Sequence, residues 1–198
     1  MARHHERSAG RAATRIASWL ILGGLTWTSA RPGAGTAAEP VVPAPVQATM
    51  AVRILDYDRA LKTWSGGRLT VGVVARHAGA AAEFEQALSG RDAQGVPIKV
   101  AAHPYKDADS LRAWIERNGV GLLYLAPDVA AESAAAVAVA GARKVPVLVA
   151  SRAQFKDGAT VGLVVRDGKP HILVNLGASR AAGMDLDPKL LQLSEVVR

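Results

Sequence analysis

Residues Leu69–Ala75, with the sequence LTVGVVA, decide the fold of this 198-residue chain. The run is almost entirely apolar and rich in β-branched residues, which predicts a strand buried on both faces. Three further runs of this kind lie at residues 97–102, 120–125 and 145–150. Strands buried on both faces belong to parallel sheets covered by helices, so the four runs predict a parallel sheet.

Helical periodicity occupies the intervals between these runs. We predict helices at residues 80–88, at residues 109–118 with Asp109 as N-cap, and at residues 128–140 with Asp128 as N-cap. Strand alternating with helix is typical of right-handed crossover units in a parallel sheet.

A longer helix, at residues 46–64, is predicted before the first strand. Apolar residues recur there at spacings of three and four, on the face formed by Met50, Ile54, Tyr57, Leu61 and Trp64. Asp56 and Asp58 lie one position to either side of Tyr57, about 100° around the helix in opposite directions. They therefore cannot form a catalytic carboxylate pair, and a solvated, salt-bridged helix face is predicted.

The C-terminal part changes pattern. Two β-rich runs, at residues 160–166 and 169–176, flank an Asp-Gly pair that accepts the positive φ values of a tight hairpin turn. A short helix at residues 176–183 and a final helix at residues 187–197 follow. We expect an α/β fold: a mixed sheet whose first strands are parallel with crossover helices, an antiparallel hairpin near the C-terminus, and helices on both faces.

The net charge of +7 comes mostly from the N-terminal segment. Residues 1–38 hold five arginines and one glutamate, a contribution of +4; the 19 basic and 16 acidic residues that remain give +3. Those basic residues are scattered, and aromatic residues do not alternate with them as a nucleic-acid groove requires. We expect no nucleic-acid partner. The chain has no cysteine, which excludes disulfide frameworks, thiolate metal sites and thiol nucleophiles.

The N-terminal segment has the three parts of a secretory signal peptide: a basic start, an apolar run and small residues before a cleavage site, here placed after Ala38. An uncleaved membrane anchor is the alternative, but the apolar run has twelve residues and a span needs about 20. We predict a signal peptide at residues 1–38, a proline-rich arm at 39–45 and a single α/β domain at 46–198, located outside the cytoplasm.

No catalytic constellation is visible, and we expect no metal and no cofactor. His77, His103 and His171 are far apart and have no ligand spacing, and nucleophile-elbow and phosphate-loop motifs are absent. The turn after the first strand, at Arg76 and His77, is a candidate anion cradle or an ordinary turn. Asn175, at the end of the hairpin, either caps the next helix or contacts a ligand.

The C-terminal sequence resembles that of the YfiR-like periplasmic regulators. The matching stretches are ILVNL at residues 172–176, AAGM at 181–184 and KLLQL at 189–193, with VPVLV at 145–149 upstream. The matching single residues are Trp64, Phe155, Gly158, Gly183, Leu190 and Leu191. The chain departs from the family pattern in having no cysteine, Ala159 where a second glycine is expected, and Asp187-Pro188-Lys189 where a serine is usual.

The resemblance implies a periplasmic, non-enzymatic regulator that binds the periplasmic portion of an inner-membrane signalling protein, such as a diguanylate cyclase or a sensor kinase, and sequesters or modulates it. A homodimer and a small ligand are left open. The alternative is a periplasmic small-molecule sensor or solute-binding domain, with its ligand at the carboxyl ends of the parallel strands, near Arg76, His77 and the loop after Leu125. An extracellular enzyme is a third, less favoured hypothesis.

Overall fold

The computed structural model of the chain describes residues 40–197. The predicted signal peptide lies outside the described residues. Eight strands are present: β1 Leu69–Ala75, β2 Asp92–Ala93, β3 Val96–Pro104, β4 Leu122–Leu125, β5 Val147–Val149, β6 Val161–Arg166, β7 Lys169–Asn175 and β8 Glu195–Val197. The α-helices are α1 Ala44–Asp56, α2 Leu61–Ser65, α3 Ala78–Leu88, α4 Ala108–Asn118, α5 Ser133–Gly141, α6 Arg152–Lys156, α7 Leu176–Ala181 and α8 Pro188–Gln192, with a 3-10 helix at Pro127–Glu132 before α5.

The strands form one mixed sheet in the order β2-β3-β1-β4-β5-β6-β7-β8. Strands β3, β1, β4, β5 and β6 are parallel, and β7 returns antiparallel to β6. The hairpin turn has the predicted positive φ values, 50° at Asp167 and 72° at Gly168. Helices cover both faces: α1 and α3 pack over one apolar layer, and α4, α5 and α6 over the other. The predicted fold class is confirmed.

Both edges of the sheet differ from the sequence prediction. The final helix ends at Gln192, and Glu195–Val197 form strand β8, parallel to β7. The prediction of a helix through Val197 was wrong because β-branched residues at the chain end can pair with the open edge of β7. At the other edge, part of the loop predicted at residues 89–95 is β2, which pairs with only the first two residues of β3.

Two helix starts were also misplaced. The N-cap of α4 is Asp107, whose Oδ1 accepts from the N–H of Ser110 at 2.7 Å, and Asp109 lies within the first turn. Asp128 does not cap the alanine-rich helix. It lies in the 3-10 helix, and α5 begins only at Ser133.

The opening helix is two helices, because the chain breaks between Asp56 and Leu61 around the side chain of Asp58. This carboxylate is fully buried, so the predicted solvated face was wrong for Asp58, although Asp56 is exposed. Its Oδ1 accepts from the N–H groups of Ala60, at 3.0 Å, and Asp185, at 2.8 Å, and its Oδ2 accepts from Trp64 Nε1 at 2.7 Å. Two of these donors would be out of reach in a continuous helix. The break in the helix therefore lets these donors reach the buried carboxylate of Asp58.

The sheet also requires close approach at Gly72 in β1. A Cβ atom there would lie 2.8 Å from Cη2 of Trp114 and 2.9 Å from Cγ1 of Val120. The indole of Trp114 thus lies directly against the strand backbone and covers the α4 face of the sheet. Only glycine leaves room for this packing.

Replacement Gly72→Ala is expected to lower the free energy of unfolding by about 1–3 kcal/mol, because the added methyl group overpacks the layer under Trp114. Gly79→Ala is the matched control, since no heavy atom lies within 4 Å of its added Cβ and alanine favours a helix by up to about 1 kcal/mol. Urea unfolding followed by circular dichroism measures both. Equal stability of the two variants would contradict the packing at Gly72.

Replacement Asp58→Ala is expected to cost at least about 3 kcal/mol, because three donors that converge on one buried carboxylate lose their charged acceptor at once. Asp58→Asn should cost less, since its carbonyl oxygen still accepts from the two backbone N–H groups while its amide group faces Trp64. The control is Asp109→Ala, an exposed carboxylate that pairs with Arg112, where about 0.5 kcal/mol is expected. A loss for Asp58→Ala no larger than for the control would overturn the role of the buried carboxylate.

Candidate functional site

The candidate site lies where the winding of the parallel sheet reverses direction. From β1 the chain crosses through α3 to β3 on one side, and then through α4 to β4 on the other side of β1. In open α/β sheets, the loops at the carboxyl ends of the two strands flanking such a point diverge and leave a crevice for ligands. Here those loops begin at Arg76, after β1, and at Ala126, after β4. The structure therefore brings together the two segments that the sequence singled out.

The carboxylate of Asp128 fills this crevice. Its Oδ2 accepts from the N–H of His77 at 2.9 Å and from the N–H of Arg76 at 3.1 Å, and lies 3.2 Å from Nδ1 of the His77 ring. Two adjacent backbone N–H groups aimed at one point form an anion site, and an internal carboxylate occupies it. An external anion would have to displace Asp128. Anion binding at Arg76 and His77 stays a prediction.

A second carboxylate holds the guanidinium of Arg76. Its Nη2 pairs with Oε1 of Glu132, and its Nε donates to the carbonyl oxygen of Asp128 at 3.4 Å. Burial, the charge of Glu132 and the charge of Asp107 raise the pKa of Tyr105, which lies next to β3.

The two carboxylates in the crevice each have a second oxygen. Oδ1 of Asp128 and Oε2 of Glu132 are buried without a hydrogen-bond partner among the described residues. Asp128 and Glu132 therefore close the crevice, and each of them has one carboxylate oxygen still able to accept a hydrogen bond.

An apolar groove borders the crevice on the β3 side, with a volume of about 320 Å³. It is lined by small residues of α3 and β3 and by His77, His103 and Glu85. The imidazole of His103 stacks on Trp114 with ring centroids 4.7 Å apart. Burial, with Lys106 and Arg117 nearby, lowers the pKa of His103, so this ring is uncharged at neutral pH. The groove offers contact area and little charge.

The other predicted site residue, Asn175, lies at the opposite end of the sheet. Strand β7 runs antiparallel to β6, so its carboxyl end lies near the start of the parallel strands. The Oδ1 of Asn175 accepts from the N–H of Ala178 at 3.0 Å and caps α7. The capping alternative is confirmed, and a ligand contact at Asn175 stays a prediction.

The residues that match the family pattern have visible structural roles. Trp64 donates to Asp58, and Gly183, at φ +87°, lies beside the Trp64 side chain. Phe155 is buried against Gly162 of β6, and Gly158 ends α6 at φ +100°. Leu190 is buried, and Leu191 packs against the same apolar layer. These residues build the fold rather than line the crevice.

A charged cluster that the sequence did not reveal lies at the β8 edge. Both oxygens of Glu195 accept from Arg152, at 3.1 and 3.3 Å, and Oε2 lies 3.5 Å from Arg166 and 3.9 Å from His171. The hydrogen bond from Arg152 and the surrounding positive charges lower the pKa of Glu195. The cluster was missed because residues 195–197 were predicted as helix. Asp128 and Glu132 were missed as site residues because only the sheet order places them beside β1.

Residues 40–197 contain no group of three or more histidine, aspartate or glutamate side chains placed to hold a metal ion. Within the same residues, no helix combines the length and the apolar character needed to cross a bilayer.

Replacement Asp128→Ala should vacate the two backbone N–H groups after β1 and create affinity for sulfate or phosphate, because these two donors then lack their anionic acceptor. The expected result is a rise in melting temperature with sulfate for Asp128→Ala that exceeds the rise for the unchanged chain and for the control Asp109→Ala. Chloride at equal ionic strength separates binding from screening. Equal sulfate responses in all three proteins would contradict the assignment of Asp128 as an internal anion.

Solved structures of similar fold come from bacterial proteins. One is described as the ABC domain in complex with L-Trp from Streptococcus pneumonia, with 12% identity and a TM-score of 0.55 over 78% of this chain and 62% of that one. Another is a conserved domain protein from Vibrio cholerae, with 14% identity and a TM-score of 0.55 over 79% and 60%. A third is the ligand-free, open form of CD0873, a substrate binding protein with adhesive properties from Clostridium difficile, with 18% identity and a TM-score of 0.50 over 70% and 57%.

The chain spans about three fifths of the length of each of these proteins, and at such identities the likeness concerns the fold. No curated protein matches the chain in sequence. The pattern of the YfiR/HmsC-like family does match, over residues 45–195, which include every described helix and strand except the first residue of α1 and the end of β8. The chain belongs to the YfiR/HmsC-like family.

Proposed function

We propose that this protein is a periplasmic, non-enzymatic regulator that binds the periplasmic portion of an inner-membrane signalling protein and holds it in one state. Family membership over residues 45–195 is the observation that carries the proposal. The N-terminal segment, with its basic start and apolar run, would direct export. A regulator that acts by binding needs a surface that contacts its partner and an equilibrium between the bound and free states. It does not need to make or break covalent bonds.

The geometry of the crevice supports contact rather than capture of a small ligand. In this chain the position where related folds bind ligands is filled by Asp128 and bridged by Arg76 and Glu132. A ligand would have to replace two backbone hydrogen bonds and an ion pair before gaining any contact of its own. The exposed surface is then the part of the molecule available for recognition.

Large apolar residues exposed near the C-terminus are the candidate contact points. Leu193 is 69% exposed and Val197 is 42% exposed, both at the β8 edge of the sheet. Exposed apolar residues are candidate partner contacts because removing their apolar surface from water is favourable. Val46, 39% exposed on α1, is a comparable residue elsewhere on the chain.

The direct test is co-purification of the full chain, tagged and exported, with the membrane signalling proteins encoded next to its gene. Capture of one of them through its periplasmic portion is expected, together with a changed level of its signalling product when this gene is deleted. Leu193→Glu should reduce capture without lowering the melting temperature, whereas Val46→Glu should not reduce it. A folded, exported protein that captures none of these candidates and whose deletion leaves their output unchanged would contradict the proposal.

A small-molecule sensor is the second candidate, favoured by the apolar groove beside the crevice and by the fold shared with a protein solved in complex with L-Trp and with a substrate binding protein. A ligand that binds only the folded state raises the melting temperature. Thermal-shift measurements with amino acids, nucleotides and cell-wall fragments separate the two candidates. A shift abolished by Ala82→Trp, which fills the groove, would establish the sensor; no shift with any compound favours the contact regulator.

A further inference from the structure

Part of one edge of the sheet, along the second half of β3, is unpaired. Strand β2 pairs with only the first two residues of β3, and the N–H of Ile98 donates to the carbonyl oxygen of Arg91 at 3.0 Å. Successive residues of a strand direct their backbone groups to opposite edges. Because Tyr105 donates to Ala75 of β1, the odd-numbered residues of β3 face β1 and the even-numbered ones face outward.

Val100 and Ala102 carry the unpaired backbone groups of this edge. Their N–H and C=O groups have no backbone partner among the described residues, and the carbonyl oxygen of Ile98 is equally unused there. Ala102 is exposed and Val100 is half-buried. An extended chain laid antiparallel against this edge would exchange two hydrogen bonds with each of these two residues. The backbone therefore offers a template for one short added strand.

The apolar groove of about 320 Å³ lies on the α3 face of the same edge. Alanine side chains of β1, α3 and β3 form its walls, and the carboxylate of Glu85 lines it. Glu85 has no ion-pair partner among the described residues. The residue of an added strand that lies opposite Ala102 would direct its side chain into this groove. A long side chain with an apolar stem and a positive end fits walls of this kind, because the stem covers the alanines and the end meets the carboxylate.

A second unpaired charge lies on the α4 face of the edge. Lys99 is exposed, and it has no carboxylate partner within residues 40–197. In an antiparallel pairing, the residue opposite Lys99 follows the residue opposite Ala102 by three positions and points to the other face of the sheet. An acidic side chain at that position would pair with Lys99.

We propose that the β3 edge binds an extended segment of a partner protein, antiparallel to β3, with a basic residue opposite Ala102 and an acidic residue three positions later, opposite Lys99. Main-chain hydrogen bonds supply the affinity of such added strands, and side chains supply the specificity. The two opposite charges fix the direction and the register of the segment. The proposal does not rest on the proposed function, because its contact residues lie at the other edge of the sheet from β8.

The charges favour such a partner segment over the β3 strand of a second copy. In a pairing of two β3 strands about Ala101, Val100 would lie opposite Ala102, and His103 would lie opposite Lys99. Burial lowers the pKa of His103, so its ring is uncharged at neutral pH. Neither Lys99 nor the carboxylate in the groove would gain an opposite charge.

Two labelled hexapeptides of equal composition provide the test. Thr-Arg-Thr-Val-Glu-Val places its arginine opposite Ala102 and its glutamate opposite Lys99, and Thr-Glu-Thr-Val-Arg-Val exchanges the two charges. Fluorescence anisotropy with the full chain is expected to show at least about tenfold tighter binding of the first peptide, because the second brings like charges together at both positions. The double variant Glu85→Lys with Lys99→Glu should reverse the preference.

Backbone methylation separates strand pairing from charge attraction. N-methylation of the first valine of Thr-Arg-Thr-Val-Glu-Val, whose N–H faces β3, should abolish binding. N-methylation of its second threonine, whose N–H faces away, should leave binding unchanged. Ala102→Pro should also abolish binding at an unchanged melting temperature, because the N–H that it removes has no partner among the described residues.

Three results would overturn the proposal, whether or not Ala102→Pro folds. They are the absence of saturable binding at millimolar peptide, equal affinity for the two hexapeptides, and binding that survives N-methylation of the first valine. Peptide binding that weakens as the concentration of the chain rises would place a second copy on the edge and would overturn it as well. None of these results bears on co-purification with a membrane signalling protein, so failure here is distinguishable from failure of the proposed function.

Discussion

The buried carboxylate of Asp58 is the constraint on which the arrangement of both chain ends depends. It accepts from a backbone N–H two residues ahead, from the indole of Trp64, and from the backbone of Asp185 far along the chain. Two further backbone bonds run beside it, from Arg59 to Asp185 at 2.9 Å and from Asp187 to Tyr57 at 2.8 Å. A charge in this position cannot be left without its donors, so the C-terminal turn must dock wherever the first helix pair lies.

This junction explains several residues that match the family pattern. Trp64 supplies a donor to the carboxylate, and Gly183 allows the turn before Asp185 to pass close to the tryptophan. Leu190 then follows into the apolar layer beneath α1. These three residues therefore belong to one polar junction and to the apolar layer that covers it.

The elements that could be predicted from the sequence depend on local signals. Apolar runs of strand length located β1, β3, β4 and β5, and the Asp-Gly pair located the hairpin, because each signal is complete within a few residues. The hairpin prediction needed no knowledge of the rest of the chain, since positive φ values at Asp167 and Gly168 are a property of those residues.

The features that could not be predicted depend on distant partners. Asp58 and Asp185 are separated by 127 positions, and Asp128 meets His77 across 51 positions. Nothing in the neighbourhood of either aspartate distinguishes a buried acceptor from a solvated one. Asp128 was a plausible helix cap by composition, and only the order of the strands shows that two backbone N–H groups compete for it. Strand β8 was missed for the same reason, because its pairing with β7 is not visible in residues 195–197 themselves.

The two edges of the sheet are protected against pairing with another strand in different ways. At the β8 edge, Glu195 is surrounded by Arg152, Arg166 and His171, and such charges discourage pairing with another strand. Within β3 itself, Lys99 is the one charged side chain among the described residues, and the edge is protected by the short partner strand β2 and by prolines at positions 97 and 104. The two prolines limit the length of the edge that could pair with another strand, but the backbone groups of the residues between them stay available. The fold thus protects the β8 edge by charge and the β3 edge by a short partner strand and two prolines.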